Sequence, residues 1–539
     1  MLLEHNDHDN ENSLFLSSAE SDSHIEKQPH DEPHAIDSKL RTRLMITLFA
    51  MVLSVEVGLV MASGPITRIY ESIACREYYA QYNPKQIGSN GEVDEKLCKL
   101  KEIQSELAAV KGYMEFFDGI LSILLAIPYG LLADRRGRKP TVCLSIPGFV
   151  LNCIIHFAVT WYSDIFPLRA VWASCLAWLF GGGPVVVLAI IWTMMSDVTT
   201  EEERASMFFK FGVASMAADF ASNAASSWLM VMDPWLPLFA GWGVVIVGMF
   251  FALTLPETIR ALPPSAQQVG TSIELSLLHN GDINRPVRKE QEWTDLNDLD
   301  SDQEESLLEK RSKWTFFTTI RTHARDYLTP YSFIFENKKI LLLLTPFLVY
   351  RLSRGSWFLM QYISTRYNWS LAEANFLMSL KPALIIPLFL VILPGISSHM
   401  KGMDQIKKDL RLARVSIVCL TLGTLGIGLS PSIAAFIPSL LVQTCGSGFT
   451  FLTRSVITTL VKTEETARLY TIIEVLQAVG NVIASLSITA VFQVGLELGG
   501  MWIGLAWMMT SFVFVVVGLS IWMFRLPSSA KDDNVDREV

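Results

Sequence analysis

Apolar stretches of roughly 20 residues, enough to cross about 30 Å of hydrocarbon as helix, recur twelve times along this chain of 539 residues. They fall near 43–67, 108–132, 141–161, 168–195, 206–231, 236–255, 338–363, 372–397, 413–431, 433–459, 469–492 and 501–524. Only 18% of the residues are charged, against about a quarter in a soluble globular chain. The sequence predicts an all-α membrane protein of twelve transmembrane helices.

The formal net charge of −9 lies in the tails and one central loop, so it gives no reason to expect a nucleic-acid partner. Residues 1–42 are polar, rich in His, Asp, Glu and Ser, and read as a disordered tail. Residues 256–337, with the acidic run DLNDLDSDQEESLLEK, read as a solvated linker that divides the chain into bundles at 43–255 and 338–524, followed by a tail at 525–539. Lys and Arg gather in the loops after even-numbered stretches: Arg135, Arg136, Arg138 and Lys139, then Arg204, then Lys401, Lys407, Lys408 and Arg411, then Lys462 and Arg468. The loops after stretches 3, 5, 9 and 11 hold almost none, so the basic loops and both tails are predicted to be cytoplasmic.

The two bundles echo each other. LFGGGPVVV in stretch 4 leads into DVTTEEERASMF, and TCGSGFTFL in stretch 10 leads into VKTEETARLYTI, with similar spacing from Gly183 to Arg204 and from Gly448 to Arg468. Parallel repeats of six helices with a site between them near the midplane are one architecture of secondary transport. The expected fold is therefore two pseudo-symmetric six-helix bundles.

Between stretches 2 and 3, Gly130-Leu131-Leu132-Ala133-Asp134-Arg135-Arg136-Gly137-Arg138-Lys139 resembles the G-x-L-A-D-R-x-G-R-[RK] signature of the major facilitator superfamily. The resemblance covers residues 43–524. It implies a gate: Gly130 permits close helix approach, Gly137 a tight turn, and Asp134 faces the positive N-terminus of stretch 11. It also implies that Arg138 pairs with Asp197. PETIR at 256–260 resembles the PESPR-type ending of stretch 6, bringing Glu257 and Arg260 into the same charge network. The paired glutamines of sugar porters and the glycine-proline motif of drug/proton antiporters in stretch 5 are missing. The finer pattern, including ESIACREYY, QYISTRYNWS and KDLRLARVS, is similar to fungal members of the superfamily, several of them regarded as exporters of metabolites.

Ionisable side chains inside apolar stretches cost several kcal/mol unless paired or hydrated, and so mark candidate sites. Glu56, Asp219 and Glu474 are the carboxyls placed deep enough to carry a coupling proton; Asp118 lies nearer a span end. Arg351, Arg354, Lys381 and Arg454 are the bases, with Arg454 suited to clamp a carboxylate bidentately. The opposing reading makes Arg454 and Glu474 a structural ion pair. Trp172, Trp178, Trp192, Trp228, Trp357 and Phe358 either line a cavity or anchor in lipid. Cys75 and Cys98, in the polar stretch 68–107, either pair on an oxidising side or remain free thiols. Asn368-Trp369-Ser370 is a formal glycosylation sequon close to the membrane. No metal-ligand spacing, nucleophile motif or Walker loop occurs, so neither enzyme nor cofactor is expected. The sequence expectation is a monomeric, proton-coupled carrier exporting a small, anionic organic molecule across the plasma membrane. The alternatives are the vacuolar membrane, a symporter importing an organic anion or nutrient, and a non-transporting sensor.

Overall fold

The computed structural model describes residues 38–89, 91–198, 201–255, 338–354, 356–392, 395, 405–461 and 466–524. In chain order they form α1 (Ser38–Tyr82), α2 (Lys101–Arg136), α3 (Arg138–Trp161), a 3₁₀ segment (Leu168–Leu179) leading to α4 (Gly183–Val198), α5 (Glu201–Met232) and α6 (Trp235–Phe250). The second half contains α7 (Lys338–Arg354), α8 (Ser356–Tyr367), α9 (Leu371–Pro387) and α10 (Gln405–Leu429). It ends with α11 (Ile433–Cys445), α12 (Phe449–Thr458), α13 (Thr466–Leu498) and α14 (Leu505–Met523). Helix thus occupies all twelve apolar stretches, and nine of the helical runs among the described residues are long and apolar enough to cross a membrane. The stretches at 206–231, 338–363 and 372–397 are not among those nine; they are Ala- and Ser-rich, divided around 355, or interrupted by Lys381 and prolines.

Each half has its own core. Leu48, Met51, Ile191, Met194 and Met249 form one cluster of the first half, and Tyr70, Leu107, Val110 and Trp242 form a second. Phe347, Phe358, Phe436, Phe492 and Phe514 centre the other half, and Ala108 of α2 reaches across to join them. Glycine sets helix separation in several places. A Cβ on Gly58 would collide with the Gly241 carbonyl, and one on Gly480 with the Leu348 carbonyl, the close backbone packing by which membrane helices associate. Arg414 closes the end of α14: its guanidinium donates to the Phe524 carbonyl at 2.8 Å and lies 5.5 Å from the Trp522 ring.

Two boundaries differ from the sequence expectation. Residues 68–107 are no loop: α1 runs on to Tyr82 and α2 starts at Lys101, leaving 83–100 as the connection. The helix continues because Tyr70, Ile73, Ala74 and Cys75 repeat at helical spacing and are buried with Leu107 and Val110. At the other end, α1 begins at Ser38, inside the segment read as a tail; residues 1–37, the linker 256–337 and residues 525–539 lie outside the described residues. Gly58→Val is expected to destabilise the fold by about 1–3 kcal/mol through overpacking, lowering the thermal unfolding midpoint in detergent. Gly243→Ala, where a Cβ meets nothing within 4 Å, should leave that midpoint unchanged.

Candidate functional site

Polar contacts join the halves at the end carrying the Cys75–Cys98 disulfide. Glu71, one helical turn before Cys75, is fully buried. Its carboxylate accepts from Lys99 Nζ at 2.7 Å, Gln104 Nε2 at 2.7 Å and Arg68 Nη1 at 3.3 Å. Glu95 adds ion pairs to Arg68 at 3.2 Å and Lys99 at 3.1 Å. The network then crosses to the other half. Gln361 Nε2 donates to the Gln104 carbonyl at 2.8 Å, Thr365 Oγ1 donates to Gln104 Oε1 at 3.0 Å, and the Leu371 N–H donates to Glu95 Oε1 at 2.7 Å. The cost of burying these charges is offset only because each carboxylate has several donors. The disulfide holds the 95–99 turn, and hence Glu95 and Lys99, against α1. None of this network was among the sequence candidates. The spacing Arg68–Glu71–Cys75 (i, i+3, i+7) was the readable signal that α1 continues.

From this sealed end α2 runs antiparallel to α13. A Cβ on Gly112 would strike Thr489 Oγ1, and one on Gly119 would come within 2.9 Å of Val482 Cγ2. Gly130 lies 18 residues beyond Gly112, five turns on, and so on the same face. Yet a Cβ there would meet nothing within 4 Å. The close approaches of α2 to α13 among the described residues are at Gly112 and Gly119. Carried onward, the register sets Gly130 level with Thr471 and Asp134 level with Ala467, at the start of α13. In this conformation Asp134, Arg135 and Arg136 are exposed. Gly137 takes φ 111°, a left-handed value open to glycine, ending α2 so that α3 starts at Arg138, which is buried. Lys139 is half-buried. Asp197 belongs to α4, but its side chain, Glu257 and Arg260 lie outside the described residues.

A second seam joins α5 to α9. Asn375 Nδ2 donates to Ser227 Oγ at 2.9 Å and to the Asn223 carbonyl at 3.3 Å. Continued toward the motif end, this register sets Asp219 of one half level with Lys381 of the other, both half-buried. The glycine clusters of stretches 4 and 10 each interrupt a helix near mid-span. Gly181, Gly182 and Gly183 take φ 85°, 81° and 75°, and α11 gives way to α12 across Gly446–Gly448. Non-helical backbone is tolerated at membrane depth only where its groups find partners. Around Gly181, Tyr129 supplies them: its hydroxyl donates to the Leu179 carbonyl at 2.5 Å and accepts the Gly181 N–H at 2.9 Å.

The sequence candidates do not converge on one point. Arg454 Nη2 meets Glu474 Oε1 at 2.8 Å, with the guanidinium carbon 6.0 Å from the Phe347 ring centre. Glu56 is half-buried in α1, and the side chains of Arg351 and Arg354 lie outside the described residues. Asp118 accepts a hydrogen bond from Trp178 Nε1 at 2.9 Å. Lys111 and Glu115, unremarked in the sequence, share its helix, with Lys111 Nζ donating to Thr67 Oγ1 at 2.5 Å. The aromatic candidates separate: Trp178 and Phe358 are buried and Trp228 is 70% exposed. Trp172 Nε1 donates to the Val110 carbonyl, and Trp192 packs edge-on against Phe211, while the Trp357 side chain lies outside the described residues. Asn368 is exposed with φ 54°, and Ser370 of its sequon is engaged in the capping box of α9. Lys99→Met, which leaves Glu71 buried beside fewer cations, is expected to cost about 3–5 kcal/mol locally. It should speed hydrogen–deuterium exchange across 356–367, whereas Lys101→Met, whose ammonium pairs with surface Glu102, should not.

Comparison with known proteins accords with this geometry. The family described as Major Facilitator Superfamily matches residues 109–485. The MFS-type transporter aprT of Aspergillus flavus is 39% identical, over 91% of this chain and 89% of its own length. The MFS efflux pump atnC of Emericella nidulans is 30% identical, over 89% and 87%. A solved D-xylose–proton symporter superimposes with a TM-score of 0.56 at 12% identity, covering 89% of this chain and 98% of its own, a likeness of fold alone. Helices with apolar membrane-crossing runs, the loop motif and these relatives together assign the chain: it belongs to the major facilitator superfamily of multi-pass membrane transporters.

Proposed function

We propose that the chain is a proton-coupled exporter that moves a small organic molecule, a carboxylate-bearing secondary metabolite, by alternating access. The observation that carries this reading is the asymmetry of the α2–α13 seam, closed at Gly112 and Gly119 and open at Gly130. A carrier caught between two conformations has one end sealed and the other parted. The disulfide fits an oxidising exterior, and the basic loops fit the cytoplasm. On that orientation both termini are cytoplasmic and cargo enters from inside, in the plasma membrane or the vacuolar membrane. The efflux pump among the relatives supports the outward direction.

Mechanistically, the motif end would close when α2 and α13 come together along the rest of their register. Asp134 would then approach the N-terminus of α13, where a carboxylate is favoured by about 0.3–1 kcal/mol. Closing there strains the network at Glu71, so only one end is sealed at a time. Arg454 would hold the cargo carboxylate in place of Glu474. The monomer has both bundles and needs no partner subunit for this cycle. One observation favours symport as a second reading. Arg454 pairs with Glu474 at 2.8 Å, and a cargo anion that took the place of Glu474 on Arg454 would add a negative charge to the site that an accompanying proton would balance.

The test compares metabolites inside and outside cells of deletion and overexpressing strains, by untargeted mass spectrometry at acidic and neutral external pH. Export predicts a compound retained by the deletion strain and enriched in the medium on overexpression. A compound left in the medium by the deletion strain would establish import instead, and no difference in any compound would favour a sensor. Once cargo is known, Arg454→Ala is expected to weaken its binding roughly tenfold to a hundredfold, the loss of a charged hydrogen bond of about 1.5–3 kcal/mol. Unchanged affinity in equilibrium binding would leave Arg454 a purely structural partner of Glu474.

A further inference from the structure

Lys111, Glu115 and Asp118 stand at i, i+4 and i+7 on α2 and therefore share one side of it. The opposite side of the helix carries Tyr113, Leu124, Ile127 and Leu131, all exposed. Lys111 is 3% exposed, and the stripe sets two carboxyls against one ammonium inside an apolar span. Such a set is costly in lipid and is retained where it handles ions or protons. Resting on the proton-coupled reading above, we propose that Asp118 is the proton-binding group of the first half, and that its hydrogen bond to Trp178 links proton binding to the glycine break of the fourth span.

The linkage is geometric. Asp118 Oδ1 accepts from Trp178 Nε1 at 2.9 Å. The Trp178 carbonyl in turn accepts the Gly182 N–H at 2.9 Å, and its indole would sit 3.1 Å from a Cβ on Gly183. Three turns further along the same side of α2, Tyr129 bonds Leu179 and Gly181. One helix thus grips the entry to the break twice, once through a titratable group at Trp178 and once through a neutral one at Leu179 and Gly181. A carboxylate binds an N–H more strongly than a carboxyl does. Proton uptake at Asp118 would therefore loosen the first grip and leave the second as a pivot. Glu115 on its own helix acts on Asp118 electrostatically, and Asp118 in turn acts on Tyr70 of α1 and Cys175 of the 3₁₀ segment. Glu115 also acts on Lys111, and Tyr70 bonds His156 Nδ1 of α3 at 2.7 Å.

The experiment uses the purified full chain in liposomes on a solid-supported membrane, with the proton alone as probe, and records charge displacement after pH jumps. Wild-type protein should respond. Asp118→Asn should lose more than half of the amplitude, while Glu56→Gln and Asp219→Asn keep it. Trp178→Phe should keep the amplitude and move its pH midpoint. Full amplitude in D118N, with loss in E56Q or D219N, would overturn the assignment while leaving proton coupling intact. No response from folded wild-type protein would defeat the coupling reading itself. If D118N does not fold, W178F still decides the linkage, because an unmoved midpoint overturns it.

Discussion

The contact of α2 with α13 at Gly112 and Gly119 is what the rest of this transporter depends on. Each glycine leaves room for a side chain of the partner helix, Thr489 against Gly112 and Val482 against Gly119, and membrane helices associate through small residues of this kind because lipid offers no hydrophobic drive to pair them. The seam is antiparallel and regular, so what closes it at one end prescribes what would close it at the other. Gly130, open in this conformation, lies on the same face as Gly112, five turns away. The loop motif follows directly, so the charges at Asp134, Arg135 and Arg136 end up wherever α2 carries them.

Around this seam the structure distributes polar groups according to where water is excluded. At the sealed end a buried carboxylate, Glu71, is held by three donors, and the network passes through Gln104 to Gln361 and Thr365 in the other half. At the motif end Asp134, Arg135 and Arg136 are exposed, while Arg138 is buried. On the proposed alternating-access reading the two ends would not be sealed together, because α2 is one continuous helix from Lys101 to Arg136. On that reading the glycine breaks in the fourth and tenth spans would supply bendable backbone, and Tyr129 satisfies the groups that the first break frees.

Much of this was legible in the sequence. Span count, the six-plus-six division and the superfamily follow from apolar length and one ten-residue motif. The paired glycine clusters were visible as an internal echo and proved to be helix breaks. What the sequence hid was tertiary. The extension of α1 looked like a polar loop because its charged residues, Arg68 and Glu71, neutralise each other only once Lys99 folds back over them. Gly130 was read as a packing glycine, and in this structure a Cβ there meets nothing within 4 Å. Arg454 and Glu474 were expected either as a site or as a pair, and they are a pair in this state. Lys111 and Glu115 escaped notice because a helix face of three charges is read only once the register of α2 is fixed.

The central claim is that the motif end of the α2–α13 seam closes as the disulfide end opens. It is tested most directly by electron-electron distance measurement between spin labels at Leu131→Cys and Val475→Cys, both exposed positions. The free cysteines Cys143, Cys153, Cys175, Cys419 and Cys445 would first be replaced, and the labelled protein reconstituted in bilayers. Weakening the opposite seal with Glu71→Gln and Lys99→Met should make a second, shorter distance appear or grow. A single long distance, unchanged by those substitutions and by pH, would contradict the account.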